Sequence, residues 1–96
     1  MFTIELKEFK PLTSHQIGIK IKDMVKSQLE QNDDLVILNF DGVDVCTDSF
    51  MQQLTTILSH EITFDTFRKR IKFTNLNDFL KDLVKSKLFS ASKQVA

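Results

Sequence analysis

The chain has too little glycine, proline and cysteine to belong to several whole classes of protein. Two glycines, Gly18 and Gly42, and a single proline, Pro11, exclude collagen-like and low-complexity chains. Neither glycine opens a G-x-x-x-x-G-K or G-x-G-x-x-G phosphate loop, which removes the common nucleotide-binding motifs. The one cysteine, Cys46, cannot close an internal disulfide, and the two histidines, His15 and His60, lie too far apart in sequence for zinc-ligand spacing. No cofactor and no metal are expected. Tryptophan and tyrosine are absent, so any stacking on nucleic-acid bases would fall to phenylalanine alone. No apolar run approaches the roughly 18 residues that span a bilayer, and the opening MFTIELKEFK alternates apolar and charged residues, unlike a signal peptide. A cytoplasmic protein without a membrane partner is the expectation.

What is present reads as one ordinary globular domain. Ninety-six residues, 42% hydrophobic and 27% charged, suffice for a single core, expected over about residues 2–89 with a frayed tail from 90 to 96. Formal charge is zero but unevenly distributed: residues 1–65 hold eleven acids and five bases, residues 66–96 two acids and eight bases. Such an asymmetry fits two solvated faces, or a basic face for an acidic partner or nucleic acid.

Period-two alternation puts Phe2, Ile4 and Leu6 on one side of a first strand. After Pro11, Thr13 and Gln16 form a capping-box pattern. Ile17, Ile21, Met24, Val25 and Leu29 then recur at helical spacing, leaving Lys20, Lys22, Lys26 and Glu30 to water. Gly18 inside this helix marks close packing against a neighbour. The polar break at 31–34 leads into Leu35-Val36-Ile37-Leu38-Asn39-Phe40, the continuous apolar run of a central strand covered on both faces. Asp41-Gly42 turns the backbone, Val43 and Val45 return to the core, and Thr47, Asp48 and Ser49 offer N-caps for a second helix. That helix is expected to present Phe50, Leu54, Ile57 and Leu58 inward and Gln52, Gln53, Thr56 and Ser59 outward, ending near His60. Residues 61–69 read as a loop pinned by Ile62, Phe64 and Phe67. Arg70–Thr74 alternates as a third strand, Asn75 with Asp78 offers a cap, and Leu76, Phe79, Leu80, Leu83, Val84 and Leu88 form the last helical stripe. The order βαβαβα predicts an α/β fold: a small, mostly parallel or mixed sheet with helices packed on it.

No acid, base and nucleophile converge in this pattern, so no catalytic residues are assigned. Cys46, following an apolar strand, reads as a small core residue, although a pairing with His60 is conceivable. Asp41, Asp44 and Asp48 crowd one strand end as solvated acids, or as a weak cation site. The strand-to-helix junction stands out, because binding groups collect beyond the carboxyl ends of central strands. There Ser49 occupies the first turn of a helix, where backbone N–H groups favour a phosphate. On local sequence alone, Thr47, Asp48 and Ser49 read first as simple caps.

At this junction the chain resembles the STAS domains of bacterial anti-sigma factor antagonists, and more closely a STAS-like group of small bacterial domains of unknown function. The resemblance runs from about Leu35 to Phe89. It rests on Val-Ile-Leu-Asn-Phe-Asp-Gly-Val at 36–43, Thr47-Asp48-Ser49-Phe50, and Arg70-Ile71-Lys72-Phe73-Thr74-Asn75. In the antagonists an aspartate-serine-serine-glycine motif carries, on its second serine, a phosphate added by a partner kinase that is also the anti-sigma factor. Thr47 stands at the aspartate, Asp48 at the first serine, Ser49 at the phosphorylated serine and Phe50 at the glycine. Serine followed by phenylalanine is the usual form in the STAS-like group, whose members accompany histidine-kinase-like ATPases.

The resemblance implies a non-enzymatic interaction domain. Its docking surface is expected around Asp44, Thr47, Asp48, Ser49 and Gln53, its switch at Ser49, and its partner is expected to be a histidine-kinase-like (GHKL) ATPase or an anti-sigma factor. The alternative is nucleic-acid binding through the basic patch Arg68, Lys69, Arg70 and Lys72, extended by Lys81, Lys85 and Lys87. Neutral total charge and the missing tyrosine and tryptophan weigh against it.

Overall fold

In the computed structural model, which describes residues 1–95 and their side chains through Phe89, three short strands form one parallel sheet. They are β1 (Phe2–Glu5), β2 (Val36–Asn39) and β3 (Ile71–Thr74), in the order β1-β2-β3. Phe2, Val36 and Ile71 share one register row, and Ile4, Leu38 and Phe73 another. The central strand is the apolar run at 36–39, as its composition predicts.

The first crossover is α1 (His15–Gln31); the second passes through α2 (Asp48–Gln52), a π-helical turn (Gln53–Ile57), α3 (Leu58–Ile62) and α4 (Phe64–Arg70). The chain closes with α5 (Asp78–Val95). Backbone α5 is helical past Ser90, where fraying was expected to begin, and Ala96 lies outside the described residues. No helix among the described residues is long and apolar enough to cross a membrane.

Side-chain alternation sorts the sheet into two unlike faces. Ile4, Val36, Leu38 and Ile71 are buried beneath the helices with Leu6, Ile21, Val25, Phe40, Phe50, Leu54, Leu58, Phe67, Leu80 and Val84. The opposite face carries Thr3, Glu5, Ile37, Asn39, Lys72 and Thr74, of which Thr3 and Lys72 are exposed and the rest half-buried. The apolar run at 35–40 therefore does not belong to a strand covered on both sides. The strand order β1-β2-β3 makes both crossovers step in the same direction, and crossovers of one hand that step the same way place their helices on the same face.

Helix ends depart from the sequence reading by a residue or two. Ser14, rather than a Thr13–Gln16 box, caps α1: its Oγ accepts from the backbone N–H of Gln16 (3.0 Å) and of Ile17 (3.3 Å). Asn77, rather than Asn75, caps α5, its Oδ1 accepting from Leu80 N–H at 2.8 Å. Asn75 instead adopts a left-handed backbone with φ 58°, which asparagine tolerates better than most residues. Residues 61–69 are not a loop. Thr63 turns the chain and accepts from Thr66 N–H (3.2 Å) to start α4, whose Phe67 is buried against Phe73 with ring centroids 6.0 Å apart. Two helices of five and seven residues are too short to display a period in sequence.

The π turn explains a second departure. Thr55, Thr56 and Ser59 are buried, although 56 and 59 were placed outward. A π turn adds a residue to the helical circuit and shifts every later side chain around the axis. The buried hydroxyls are satisfied locally: Thr55 donates to the Met51 carbonyl (2.8 Å), Ser59 to that of Thr56 (2.8 Å) and Thr56 to that of Lys87 on α5 (3.1 Å). Phe79, placed in the last apolar stripe, stands 52% exposed.

Helix α1 meets this irregular helix at Gly18. A Cβ at Gly18 would lie 2.9 Å from Gln53 Cβ and 3.0 Å from the Phe50 carbonyl oxygen, closer than packed atoms tolerate. Lys22, assigned to water by its spacing, is instead buried on the same helix and donates to Glu61 at 2.8 Å, with Lys26 on the other carboxylate oxygen at 2.7 Å. Hydrogen bonds from Lys22 and then Lys26 hold the Glu61 carboxyl below its ordinary pKa.

Two measurements test this packing. Gly18→Ala should destabilise the domain by about 1–3 kcal/mol in urea unfolding, because the clash outweighs alanine's gain of up to about 1 kcal/mol in helix propensity. A variant as stable as the parent would contradict the close approach. Glu61→Gln should cost roughly 1–3 kcal/mol at neutral pH by leaving Lys22 without its carboxylate. The folded-state pKa of Glu61 is depressed, so this stabilisation is present above the ordinary carboxylate range and is lost as pH falls through the lowered value. The stability difference between parent and variant should shrink accordingly in acid.

Candidate functional site at the carboxyl ends of the strands

All three parallel strands end on the same side, and the segments that follow them meet there. Asn39, the last residue of β2, joins them. Its Nδ2 donates to both carboxylate oxygens of Glu5 at the end of β1 (3.1 Å each), while its Oδ1 accepts from Asn75 Nδ2 (2.7 Å), Thr74 Oγ1 (3.3 Å) and the Asp41 backbone N–H (3.0 Å). One carboxamide thus fixes the ends of β1 and β3 and the start of the following turn. Its role is not apparent from hydrophobic period or capping pattern. The available signal was a lone amide inside an otherwise apolar strand.

Beyond Asn39, the Val43 N–H donates to the Phe40 carbonyl (2.9 Å), closing a turn with Gly42 at φ 82°. That φ is why glycine stands there. Val43 is buried as expected, but Val45 is 67% exposed. The segment is held out by two bonds: Asn77 Nδ2 donates to the Asp44 carbonyl (2.8 Å), and the Thr47 N–H to the Leu12 carbonyl (3.1 Å). Between the 10–13 and 44–45 segments lies a groove of about 480 Å³ lined by Lys10, Pro11, Leu12, Thr13, Asp44 and Val45.

Thr47 caps α2, its Oγ1 accepting from the Phe50 N–H at 3.3 Å. Ser49 is exposed in the first turn, its Oγ 3.4 Å from Thr47 Oγ1. Asp48 is exposed as well, and Lys87 of α5 donates to it at 2.9 Å. Asp44 is exposed at the rim of the groove. Gln53 does not share this surface in the way expected of it. The π turn sets it half-buried against Gly18, with its Oε1 buried and without a hydrogen-bond partner among the described residues.

Cys46 is buried behind the same segment, and desolvation, with Asp48 nearby, pushes its thiol up to about 11; His60 is exposed. Asp41, Asp44 and Asp48 form no cation site, since among the described residues no group of three or more His, Cys, Asp or Glu is placed to hold a metal ion.

The basic patch is divided. Arg68 and Lys69 pair with Asp65 at 3.5 and 3.1 Å. Arg70 donates to the backbone carbonyls of Asn32 (2.7 Å) and Asp34 (2.8 and 2.9 Å). Only Lys72 of the four stands on the open sheet face.

A family model described as a STAS-like domain of unknown function matches residues 18–80. The chain belongs to this STAS-like family. The match begins within α1 and ends at the start of α5, so it takes in the Asn39 junction, the groove's 44–45 wall and Ser49. Comparison with curated proteins found no match, and neither did comparison with solved structures.

The raised thiol pKa of the STAS-like domain's Cys46 makes two measurable statements. Labelling by a thiolate-selective reagent at pH 8 should run at least about tenfold slower in the native protein than after unfolding, because the thiolate is the reacting form. The folded-state pKa lies above the unfolded one, so the neutral thiol's contribution to stability is complete below about pH 9 and is lost as pH rises towards 11. Cys46→Ser, whose hydroxyl does not titrate there, should flatten that part of the stability profile.

Proposed function

We propose that this STAS-like domain is a non-enzymatic regulatory module that docks a protein partner at the carboxyl ends of its strands. The observation carrying the reading is a serine hydroxyl exposed at the start of a helix, linked through Thr47, whose N–H bonds the Leu12 carbonyl, to a groove lined by Leu12 and the exposed Val45. An exposed aliphatic side chain beside a groove suits burial against a partner. Asp44, Thr47, Asp48 and Ser49 supply the polar rim.

The reading extends to control by phosphate at Ser49. A phosphate adds close to two negative charges beside Asp48, whose carboxylate is already engaged by Lys87. Repulsion from Asp48 and competition for Lys87 would change the surface a partner meets. The partner class that fits the family resemblance is a histidine-kinase-like ATPase or an anti-sigma factor. Nucleic-acid binding is not favoured by any specific observation, since three of the four residues of the basic patch are engaged within the domain.

Affinity capture from the host with quantitative mass spectrometry tests this. The parent domain should retain an ATPase of that class, Val45→Asp should lose it, and Ser49→Asp should reduce it at least about tenfold, a change of roughly 1.4 kcal/mol. Phosphate should be found on residue 49. Recovery of neither such a partner nor the phosphate would remove the basis of the proposal.

A further inference from the structure

The sheet ends on two unlike edges. On β1, the Phe2 N–H donates to the Leu35 carbonyl at 3.0 Å, and alternation along a parallel ladder then turns the backbone groups of Phe2 and Ile4 towards β2 and those of Thr3 and Glu5 outward. Among the described residues, no strand pairs with that outer edge. An unpaired row of N–H and C=O groups is a template for another strand, and proteins commonly blunt such an edge with lysine or proline. Strand β3 carries such a lysine, Lys72, and the strand is directly preceded in sequence by Arg68, Lys69 and Arg70, although the Lys72 backbone faces β2, in phase with the Thr74 carbonyl that accepts from Phe40, and Ile71 and Phe73 bond outward. Strand β1 has neither lysine nor proline, its outward-bonding residues being threonine and glutamate.

Beside the β1 edge runs a second groove, lined by Phe2 and by Lys20, Asp23, Met24, Ser27 and Gln28 of α1. Phe2 and Met24 are half-buried and supply an apolar floor. Lys20 and Asp23, three residues apart on this face, are in no ion pair among the described residues; the Lys20 ammonium lies 5.9 Å from the Phe9 ring centroid.

We infer that the occupant of this edge is a second copy of the chain, with β1 of each protomer pairing antiparallel to β1 of the other about a two-fold axis. The edge and the helix beside it are self-complementary. A two-fold axis perpendicular to the sheet keeps both α1 helices on the same face and runs them antiparallel across the seam, and antiparallel order brings the base of each helix towards the acid of its partner. Lys20 then meets the partner's Asp23 and the reverse. Pairing centred on Ile4 sets Thr3 opposite Glu5 of the second copy, so no like charges face each other directly. The dimer carries a continuous six-stranded sheet. This inference is independent of the docking surface proposed above, since its residues lie on β1 and α1 and none of them lines the first groove.

Sedimentation equilibrium of the full chain from micromolar to roughly millimolar concentration tests it. The parent should dimerise, and the Thr3 and Glu5 amides should gain hydrogen-exchange protection as concentration rises. Thr3→Pro removes only an outward N–H, a position where an edge strand tolerates proline, so it should leave β1–β2 pairing intact while weakening the dimer at least about tenfold. Independently of that backbone change, Lys20→Asp should weaken the dimer and Lys20→Asp with Asp23→Lys should restore it. A protein monomeric throughout the range overturns the inference. So does a dimer indifferent to Thr3→Pro and to the charge reversal, which would place its interface elsewhere.

Discussion

The Asn39 carboxamide holds together what the rest of the domain depends on. Three strands of four residues each provide few ladder bonds, and their carboxyl ends are where the chain leaves the sheet three times. A single half-buried amide that donates to Glu5 and accepts from Thr74, Asn75 and Asp41 ties β1, β2, β3 and the 40–43 turn at one point. Each such bond contributes on the order of 1 kcal/mol, but the penalty for leaving one end unmade is larger, so the set acts as a unit. From that point the 43–47 segment can leave the core with Val43 buried and Val45 exposed, secured by Asn77 and Leu12. The groove and the Ser49 helix start are consequences of how this junction is fixed.

The one-sided covering of the sheet shapes everything else. Helices on a single face must bury their apolar surface against that face and one another, which brings α1 against α2 and the π turn closely enough to require Gly18. It also brings Lys22 into the interior, where Glu61 neutralises it. The π turn fits the same constraint: it rotates Thr55, Thr56 and Ser59 inward, where their hydroxyls bond to nearby carbonyls, and it turns Gln53 onto Gly18. The opposite face and the β1 edge are left to water or to another chain.

Membership in the STAS-like family and the geometry of the strand ends support each other without either naming a partner. The family model covers the junction, the 44–45 wall of the groove and Ser49. The structure adds Val45 as an exposed aliphatic side chain on the groove and Lys87 as the cation held by Asp48. It also withdraws Gln53 to an inner position, so the surface around Ser49 is narrower than a reading of adjacent residues suggests.

Local pattern alone determined the element types of all three strands and the three longest helical stretches, the central place of the 36–39 strand, the meaning of Gly18, the burial of Cys46 and the exposure of Ser49, because period, caps and turn residues act over a few neighbours. Tertiary structure decided the rest. Whether Ile37 and Lys22 meet water depends on which face the crossovers occupy, the cap at α1 or α5 on which nearby side chain reaches the free N–H groups, and the turn at Thr63 on packing that two short helices cannot encode. Asn39 shows the division most clearly: its identity is plain in the sequence, but its role exists only once Glu5, 34 residues before it, and Asn75, 36 residues after it, are brought within hydrogen-bonding distance.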